Sequence, residues 1–411
     1  MEKNKKEILV EISAQVIYYS LILIPFVASF SSAAVNVFTV MVIVVYLLKK
    51  FIAKDFKETL NPLSVAYLLL ILAALLSFIN TASVKESLHG IVKLLKYGFL
   101  FIIASEHLKD RKHLERIILA SLSGVFLASF DGFFQIYSGK DIFRHNPPDF
   151  AIGLSRPKAA FPHTNIFAGY LALFLPLGMA LSLYYFKGKS KLVLMFTTAF
   201  ALLCQILTFS RGAIFGVFAA VLFMAALKKD KIILTLLVIA LLITPFLLPQ
   251  GVRDWVKSTK SVWELLLNSE RIYLYKTSVN MISDHPVVGA GVNTFILNYQ
   301  KYRPQQEYGY PGEGSHYAHN IYLHTAGEIG LLGLSAFLWL IFVLFRAWYG
   351  LHKSAKDDFL KICGLGLIGC IGAFLINGLT ETNLYYPKIA ILFWFQVGLL
   401  LGIIRLNGRL S

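Results

Sequence analysis

Charged residues are scarce in this chain of 411 residues: Asp, Glu, Lys and Arg together make up only 15% of it, and 57% of it is hydrophobic. So apolar a composition excludes a soluble protein. Several apolar runs reach the roughly 20 residues that are needed to cross about 30 Å of hydrocarbon. Because backbone groups in lipid must be hydrogen-bonded internally, runs of this length predict helices rather than barrel strands.

Cysteine is also rare. Cys204, Cys363 and Cys370 lie in apolar runs and have no metal-binding or redox spacing. They are predicted to be small core residues without chemistry. We also find no internal repeat of the kind that many transporters carry.

The apolar runs predict an all-α, polytopic integral membrane protein with about twelve transmembrane helices, forming a single transmembrane domain over residues 1–411. The predicted spans are 14–30, 33–48, 63–80, 88–105, 116–137, 164–186, 191–208, 211–227, 232–249, 319–345, 361–379 and 389–405.

The net charge of +16 is distributed in a way that argues against nucleic acid as a partner. If the spans alternate sides, the basic clusters at 49–57, 109–112, 187–191 and 228–231 all fall on one side of the membrane. This is the positive-inside pattern, and it predicts a multi-pass membrane protein with both termini in the cytoplasm. No basic face with interleaved readout groups is present.

The same alternation places one long hydrophilic loop, 250–318, between spans nine and ten outside the cytoplasm, in the periplasm if the organism has one. Stretches 252–267 and 270–283 of this loop are predicted amphipathic helices. The second has an apolar stripe formed by Ile272, Tyr275, Val279 and Ile282, and His285-Pro286 ends it. The loop's aromatic residues suit either stacking on sugars or anchoring at the membrane interface. They are Trp255, Trp263, Tyr273, Tyr299, Tyr302, Tyr308, Tyr310 and Tyr317.

His319 stands at the start of span ten. An ionisable side chain at such a helix mouth is a functional candidate, and a neutral imidazole can take a proton from a sugar hydroxyl. We expect cationic neighbours to lower its pKa and keep it neutral. The alternatives are a capped interfacial histidine and a metal site with His316. The metal site is disfavoured because Glu328, nine residues on, would face the other side of the helix.

Arg211 lies in a very short turn between spans seven and eight, and Arg271 lies at the start of the second amphipathic helix. A planar guanidinium fork suits two oxygens of a phosphate. The alternative is an arginine that snorkels to lipid headgroups.

Lys93 and Lys96, one turn apart in span four, are predicted to pair with Asp131 in span five. A secondary phosphate contact is the alternative. The glycines at 327, 330 and 333 and those at 364, 366, 369 and 372 are predicted to let helices approach closely.

Several motifs resemble those of a known family. His319-Asn320, nine residues, Gly330, two residues and Gly333 is similar to the His-Asn-x9-Gly-x2-Gly signature of O-antigen ligases. Ser210-Arg211-Gly212 resembles the first arginine site of that family, and Glu270-Arg271 followed by 284–286 and Gly-x-Gly at 289–291 resembles its second. Tyrosines follow Arg271 where the family often has tryptophan.

The resemblance implies an O-antigen ligase of the bacterial inner membrane, which acts on the periplasmic side in lipopolysaccharide biosynthesis. Such an enzyme is a metal-independent, inverting glycosyltransferase without a cofactor. The donor would be a glycan on undecaprenyl diphosphate, and the acceptor a sugar hydroxyl of lipid A–core oligosaccharide or another glycan. His319 would be the general base, and Arg211 and Arg271 would bind the diphosphate. His316, Asn320, Lys96 and Arg156 are secondary candidates for the site.

Other functions fit part of this pattern. An O-antigen polymerase or a protein O-oligosaccharyltransferase of the same superfamily differs only in the acceptor. A secondary transporter would carry its polar groups near mid-membrane, whereas this chain concentrates them at the ends of its spans. A non-catalytic scaffold for envelope assembly is the remaining alternative.

Overall fold

A computed structural model describes residues 2–54, 62–151, 153–258, 262–305 and 316–410. It is almost entirely helical within these ranges. The helices are α1 Glu2–Val27, α2 Ser32–Ala53, α3 Pro62–Leu76, α4 Val84–His107, α5 Arg111–Ser138, α6 Thr164–Ala172, α7 Leu175–Tyr184, α8 Gly188–Leu207, α9 Arg211–Lys228, α10 Lys231–Leu247, α11 Gln250–Ser258, α12 Val262–Asp284, α13 Phe295–Tyr302, α14 Ile321–Ser354, α15 Asp358–Asn377 and α16 Pro387–Leu410. Two short strands, β1 Asp149–Ala151 and β2 Leu154–Arg156, form an antiparallel hairpin. Short 3₁₀ helices follow α3, at Ser77–Asn80, and precede α16, at Asn383–Tyr385.

The prediction of a polytopic, all-α membrane protein is confirmed. The described residues contain 11 helical segments that are long and apolar enough to cross a membrane. These segments coincide with eleven of the twelve predicted spans. The remaining one, 232–249, corresponds to α10, and the chain bends by 90° between α10 and α11. Counting that bent pair as one span gives up to 12.

The centre of the bundle is formed by α6 with α7, by α15 and by α16. In the most apolar stretch of each, 89%, 83% and 89% respectively is buried inside the protein, against 28% for α1 and 22% for α2. Glycines in α15 permit this packing: a Cβ on Gly366 would lie 2.8 Å from Leu177 Cα. The predicted role of the α15 glycines in close helix approach is therefore confirmed at this position.

The two amphipathic helices predicted in the long loop are arranged differently. Residues 259–261, inside the predicted helix 252–267, lie outside the described residues, and α11 and α12 lie on either side of them. The predicted helix 270–283 is confirmed as part of α12, which ends just before His285-Pro286.

The predicted apolar stripe of this helix is wrong. Val279 is 50% exposed, whereas Thr277 and Ser278 are fully buried. Their hydroxyls donate to the carbonyls of Tyr273 and Leu274 one turn earlier, at 3.2 and 2.9 Å. Since these hydroxyls are satisfied within the helix, the polar residues pack as core residues.

Helix α14 is broken near its beginning. Ile329 and Gly330 have non-helical backbone angles, with φ of +71° at Gly330. The segment 286–291 fills the break: Ala290 and Gly291 donate to the carbonyls of Gly327 and Glu328, both at 2.9 Å. In return, the N–H groups of residues 331 and 332 donate to the carbonyls of residues 286 and 287, at 2.8 and 3.2 Å. Gly330 thus permits a backbone conformation, which corrects its predicted role in simple helix packing.

Gly330→Ala is expected to destabilise the protein. Its φ and ψ of +71° and −178° are accessible almost only to glycine, and a Cβ would lie 2.1 Å from the Val287 carbonyl oxygen. The backbone strain alone costs on the order of 1–3 kcal/mol. The thermal unfolding midpoint in detergent measures the effect. Gly372→Ala is the matched control, because its Cβ would have no neighbour within 4 Å. Equal midpoints for the two variants would contradict the assignment.

Candidate active site

The connection between α15 and α16 brings a buried carboxylate to one end of the bundle. Glu381 lies in this connection, and its side chain is only 5% exposed. One carboxylate oxygen, Oε2, is 3.1 Å from His319 Nδ1. The other, Oε1, accepts hydrogen bonds from the Arg271 guanidinium and, at 2.7 Å, from the Asn165 amide. A single carboxylate therefore joins residues that are far apart in the chain.

The backbone around His319 explains the His-Asn pair. His319 has a φ of +48°, which is uncommon for a residue other than glycine. Asn320 then caps α14, because its Oδ1 accepts from the N–H groups of Tyr322 and Leu323 at 2.9 and 3.0 Å. The Asn320 amide also donates to the Leu379 carbonyl at 3.0 Å. The asparagine thus fixes both the helix start and the connection that carries Glu381.

Arg271 reaches this site from α12. One turn later, the Tyr275 hydroxyl hydrogen-bonds to the carbonyls of His319 and Leu379. Tyr275, one of the two tyrosines that follow Arg271, therefore holds α12 against the same connection. The pKa of Tyr275 is raised, mainly by burial, so its hydroxyl is a neutral donor near pH 7.

Two more arginines lie close to Arg271. Arg211 begins α9, directly after a turn in which Phe209 has a φ of +49°, and it is within electrostatic range of Arg271 and Arg156. Arg156 ends β2 and donates to the Thr208 carbonyl at 2.7 Å. Three guanidinium groups therefore lie within electrostatic range of one another, and two of them, Arg271 and Arg156, are also within range of Glu381.

Arg156 is connected to Glu381 through Asn165, whose amide oxygen accepts from Arg156 at 3.1 Å. Burial is the main cause of a lowered pKa of Arg156, and the charge of Arg271 adds to it, although Asp149 and Glu381 act in the opposite direction. An anion placed among the arginines would relieve this repulsion. The arrangement suits a phosphate group.

The electrostatics of His319 differ from the prediction. Burial and the charge of Arg271 do lower its pKa, but the hydrogen bond and negative charge of Glu381 outweigh them, so the pKa is raised from its ordinary value of 6.5. Burial raises the pKa of Glu381, but Arg271 and His319 lower this pKa by more than burial raises it. The carboxyl group is therefore ionised. The expected lowering of the His319 pKa by cationic neighbours is therefore wrong.

The geometry suits proton transfer. With Nδ1 hydrogen-bonded to Glu381, the proton of the neutral ring is fixed on Nδ1 and Nε2 is left to accept a proton. The His319 side chain is 32% exposed, whereas Glu381 is buried, so a substrate reaches the imidazole and not the carboxylate.

The secondary candidates divide into two groups. Asn320 and Arg156 join the site described above. The His316 ring packs against Tyr299, with 5.2 Å between ring centroids, and Lys96 donates to Asn36 at 3.0 Å. The structure thus gives neither of these two a contact with His319 or Glu381.

The predicted pairing of lysines with Asp131 is wrong. Lys93 donates to Asn293 Oδ1 at 2.8 Å, and Lys96 bonds to α2 as stated above. Asp131 instead accepts from the backbone N–H of Ile142 at 2.7 Å. The carboxylate therefore fixes the start of the following loop.

Among the loop aromatics, Tyr273, Tyr299 and Tyr302 are buried core residues and not an exposed sugar platform. Tyr308 and Tyr310 lie outside the described residues, as do the side chains of Trp255 and Trp263. Tyr317 packs on Tyr385 with ring centroids 4.2 Å apart. In the described parts of the chain no group of three or more His, Cys, Asp or Glu side chains is placed to hold a metal ion.

Sequence reasoning missed Glu381. Its signal was the one that marked Arg211: a charged residue in a short turn, here Thr380-Glu381-Thr382, between two strongly apolar spans. It was overlooked because it lies 62 residues beyond His319.

Comparison with known proteins supports the motif assignment. A family model described as O-antigen ligase matches residues 196–338, a range that contains Arg211, Arg271 and His319 but not Glu381. The match confirms the resemblance to the O-antigen ligase family. A search of curated proteins found no match.

The His319–Glu381 contact predicts a measurable titration. In the intact protein, His319 is expected to titrate above 6.5, because Glu381 stabilises the imidazolium. In Glu381→Gln the raising effect is lost, while burial and Arg271 remain, so the pKa is expected to fall below 6.5. NMR of protein labelled at histidine, assigned by the signal missing in His319→Ala, measures both. An unchanged pKa in Glu381→Gln would show that the contact is not made.

Proposed function

We propose that this protein is an O-antigen ligase, a membrane glycosyltransferase that moves a glycan from undecaprenyl diphosphate to a sugar hydroxyl of lipid A–core oligosaccharide. The observation that carries this proposal is the position of His319, which shares the Glu381 carboxylate with Arg271, and Arg271 in turn lies within electrostatic range of Arg211 and Arg156. A base beside an anion-binding cluster is what transfer from a diphosphate leaving group requires. The family match to residues 196–338 supports the same reaction class.

In the proposed mechanism His319 is the general base. Its Nε2 removes the proton from the acceptor hydroxyl as that oxygen attacks the anomeric carbon of the donor sugar. The bond between the anomeric carbon and the phosphate oxygen breaks, and undecaprenyl diphosphate leaves with the electron pair. Attack from the face opposite the leaving group inverts the anomeric configuration. Glu381 stabilises the imidazolium that forms, as a positioning residue that does not touch substrate.

The arginines supply the charge that the leaving group needs. Arg211 and Arg271 are proposed to hold the donor diphosphate, and Arg156 is within electrostatic range of both. Negative charge on the diphosphate grows as the glycosidic bond breaks, so fixed guanidinium groups stabilise the transition state more than the ground state. The proposed reaction therefore needs neither a metal ion nor a cofactor.

The proposed location is the outer face of the bacterial cytoplasmic membrane, with both termini in the cytoplasm. It is supported by the basic clusters at 49–57, 109–112, 187–191 and 228–231, which alternation of the spans puts on one side. The loop 250–318, inserted in a single transmembrane domain, would then lie in the periplasm together with His319.

A broken helix such as α14 also occurs in secondary transporters, where the break exposes backbone groups to a substrate. Here residues 286–291 occupy those backbone groups. The break therefore favours a structural role over substrate transport.

His319→Ala is expected to reduce glycan transfer by about 10²–10⁴-fold, the usual contribution of a general base, without loss of folded protein. Transfer from a defined lipid-linked donor to lipid A–core, with and without a chelator, is the measurement. The exposed His89→Ala on α4 is the matched control and should retain full activity. Normal transfer by His319→Ala, or loss of wild-type activity with the chelator, would overturn the mechanism. Product formed only on lipid-linked repeats or on protein would assign a polymerase or an oligosaccharyltransferase instead.

Arg211→Lys is also expected to fail, by on the order of 10²-fold in kcat, because a point charge cannot bind two phosphate oxygens as a planar fork does. Arg253→Lys, an exposed position on α11, serves as the control with unchanged kcat. If lysine at 211 supports normal turnover, Arg211 does not contact the leaving group in the way proposed.

A further inference from the structure

A cavity of about 130 Å³ lies beside the connection that carries Glu381. Its wall includes Ile321 and Thr382, which are two residues from His319 and one from Glu381. Leu94 and Trp394 contribute apolar surface, and Tyr385 contributes an aromatic ring with a hydroxyl. The cavity is thus next to the proposed base without including the arginine cluster.

Two lysines lie on the α4 side of this cavity. Lys93 lines it, and Lys96 lies one turn further along α4. Each ammonium has one hydrogen-bond acceptor, Asn293 for Lys93 and Asn36 for Lys96, and neither is in ion-pair contact with a carboxylate in the described parts of the chain. An ammonium carries three donors, so each lysine retains the capacity to bind an anion.

Glu328 and Glu86 are both within electrostatic range of Lys93, but neither forms an ion pair with it. Glu328 also lines the cavity, but its two oxygens accept from the backbone N–H groups of Asn293 and Phe295, at 2.8 and 2.9 Å. Lysines within an apolar span without a partner carboxylate are costly, and they mark ligand sites more often than structural ones. The Lys93 ammonium lies 4.9 Å from the centre of the Tyr385 ring, which orients it at the cavity wall.

A second buried polar group, His324, lines the same cavity and is 7% exposed. Its Nε2 pairs with the Glu328 carboxylate at 3.3 Å. Its Nδ1 is buried and has no hydrogen-bond partner among the described residues. An unmade hydrogen bond at a buried nitrogen is costly, and a ligand oxygen in the cavity would relieve that cost.

We infer that this cavity binds a phosphate group of the second substrate, the acceptor, through Lys93 and His324, with the charge of Lys96 one turn away on α4. Compact ammonium groups suit a phosphate monoester, whereas the arginine forks on the Glu381 side suit the donor diphosphate. The apolar wall fits the hydrocarbon or sugar ring that carries the phosphate. The cavity wall includes Ile321 and Thr382, which are close in sequence to His319 and Glu381. The cavity and the arginine site would therefore hold the two reactants near the same base. This inference rests on the proposed transfer reaction.

Binding can be tested without any turnover. Farnesyl monophosphate is titrated into the full-length protein in detergent and followed by native mass spectrometry, with uncharged farnesol as the comparison. Wild type and the exposed Lys85→Gln on the same helix should bind the phosphate in preference to the alcohol. The double variant Lys93→Gln with Lys96→Gln should bind the phosphate at least about tenfold more weakly, the effect of losing roughly 1.4 kcal/mol.

Equal binding of the phosphate by wild type and the double variant would overturn the inference, and so would equal binding of phosphate and alcohol by wild type. Loss of the phosphate in Arg211→Lys, with binding retained by the double lysine variant, would place the probe at the donor site and would also overturn it. Thermal unfolding of each variant identifies any loss that results from misfolding. Lys93→Arg keeps the charge and the hydrogen bond to Asn293, so this variant should bind the phosphate about as well as wild type.

Kinetics then identify which substrate supplies the phosphate. Lys93→Gln is expected to raise KM for a phosphorylated acceptor about tenfold and to leave KM for the donor unchanged, whereas an acceptor lacking the phosphate should show no difference between the variants. A raised KM for the donor alone would overturn the assignment to the acceptor. If no transfer is observed with any acceptor, the proposed function fails, while the binding experiment still decides whether the cavity takes a lipid-linked phosphate.

Discussion

The Glu381 carboxylate accepts contacts from three separate parts of the chain, His319 before α14, Arg271 on α12 and Asn165 on α6, and the geometry of the candidate site depends on this sharing. Leaving a buried charge without its partners costs about 3–5 kcal/mol, so the carboxylate strongly favours the arrangement in which all three are present. The same contact explains why the pKa of the histidine is raised although burial and the charge of Arg271 lower it. One interaction therefore sets both the position and the basicity of the proposed base.

A second connection keeps these elements in register. The segment 286–291, which follows α12, exchanges backbone hydrogen bonds with the break in α14 at Ile329 and Gly330. Because α12 carries Arg271 and α14 begins just after His319, the two helices are joined both at the site and about three turns away from it. The connection between α15 and α16 carries both Glu381, which pairs with Arg271, and Tyr385, whose ring lies beside Lys93. The proposed transfer needs two substrates at one base, and both proposed anion sites adjoin this connection.

Much of the architecture follows from the sequence, because membrane spans are encoded by runs of local hydrophobicity. The candidate residues Arg211 and His319 stand out in the sequence as polar groups at the ends of apolar segments, and Arg271 stands out at the start of an amphipathic helix. Features that depend on pairing across the fold were not. The lysine partners were assigned wrongly because helix periodicity does not say which neighbour a side chain faces. The buried face of α12 was missed because Thr277 and Ser278 satisfy their hydroxyls within the helix, and Glu381 was missed because nothing local connects it to His319.

The most direct test of the central claim is a double-mutant cycle between Arg271 and Glu381, using Arg271→Lys, Glu381→Gln and their combination, with kcat/KM for glycan transfer as the measured quantity. If the two side chains share one contact that positions the base, the effects should be strongly non-additive, with a coupling free energy of about 0.5–3 kcal/mol. Additive effects, with a coupling energy of zero, would show that the carboxylate does not connect the donor arginine to His319 and would contradict the account.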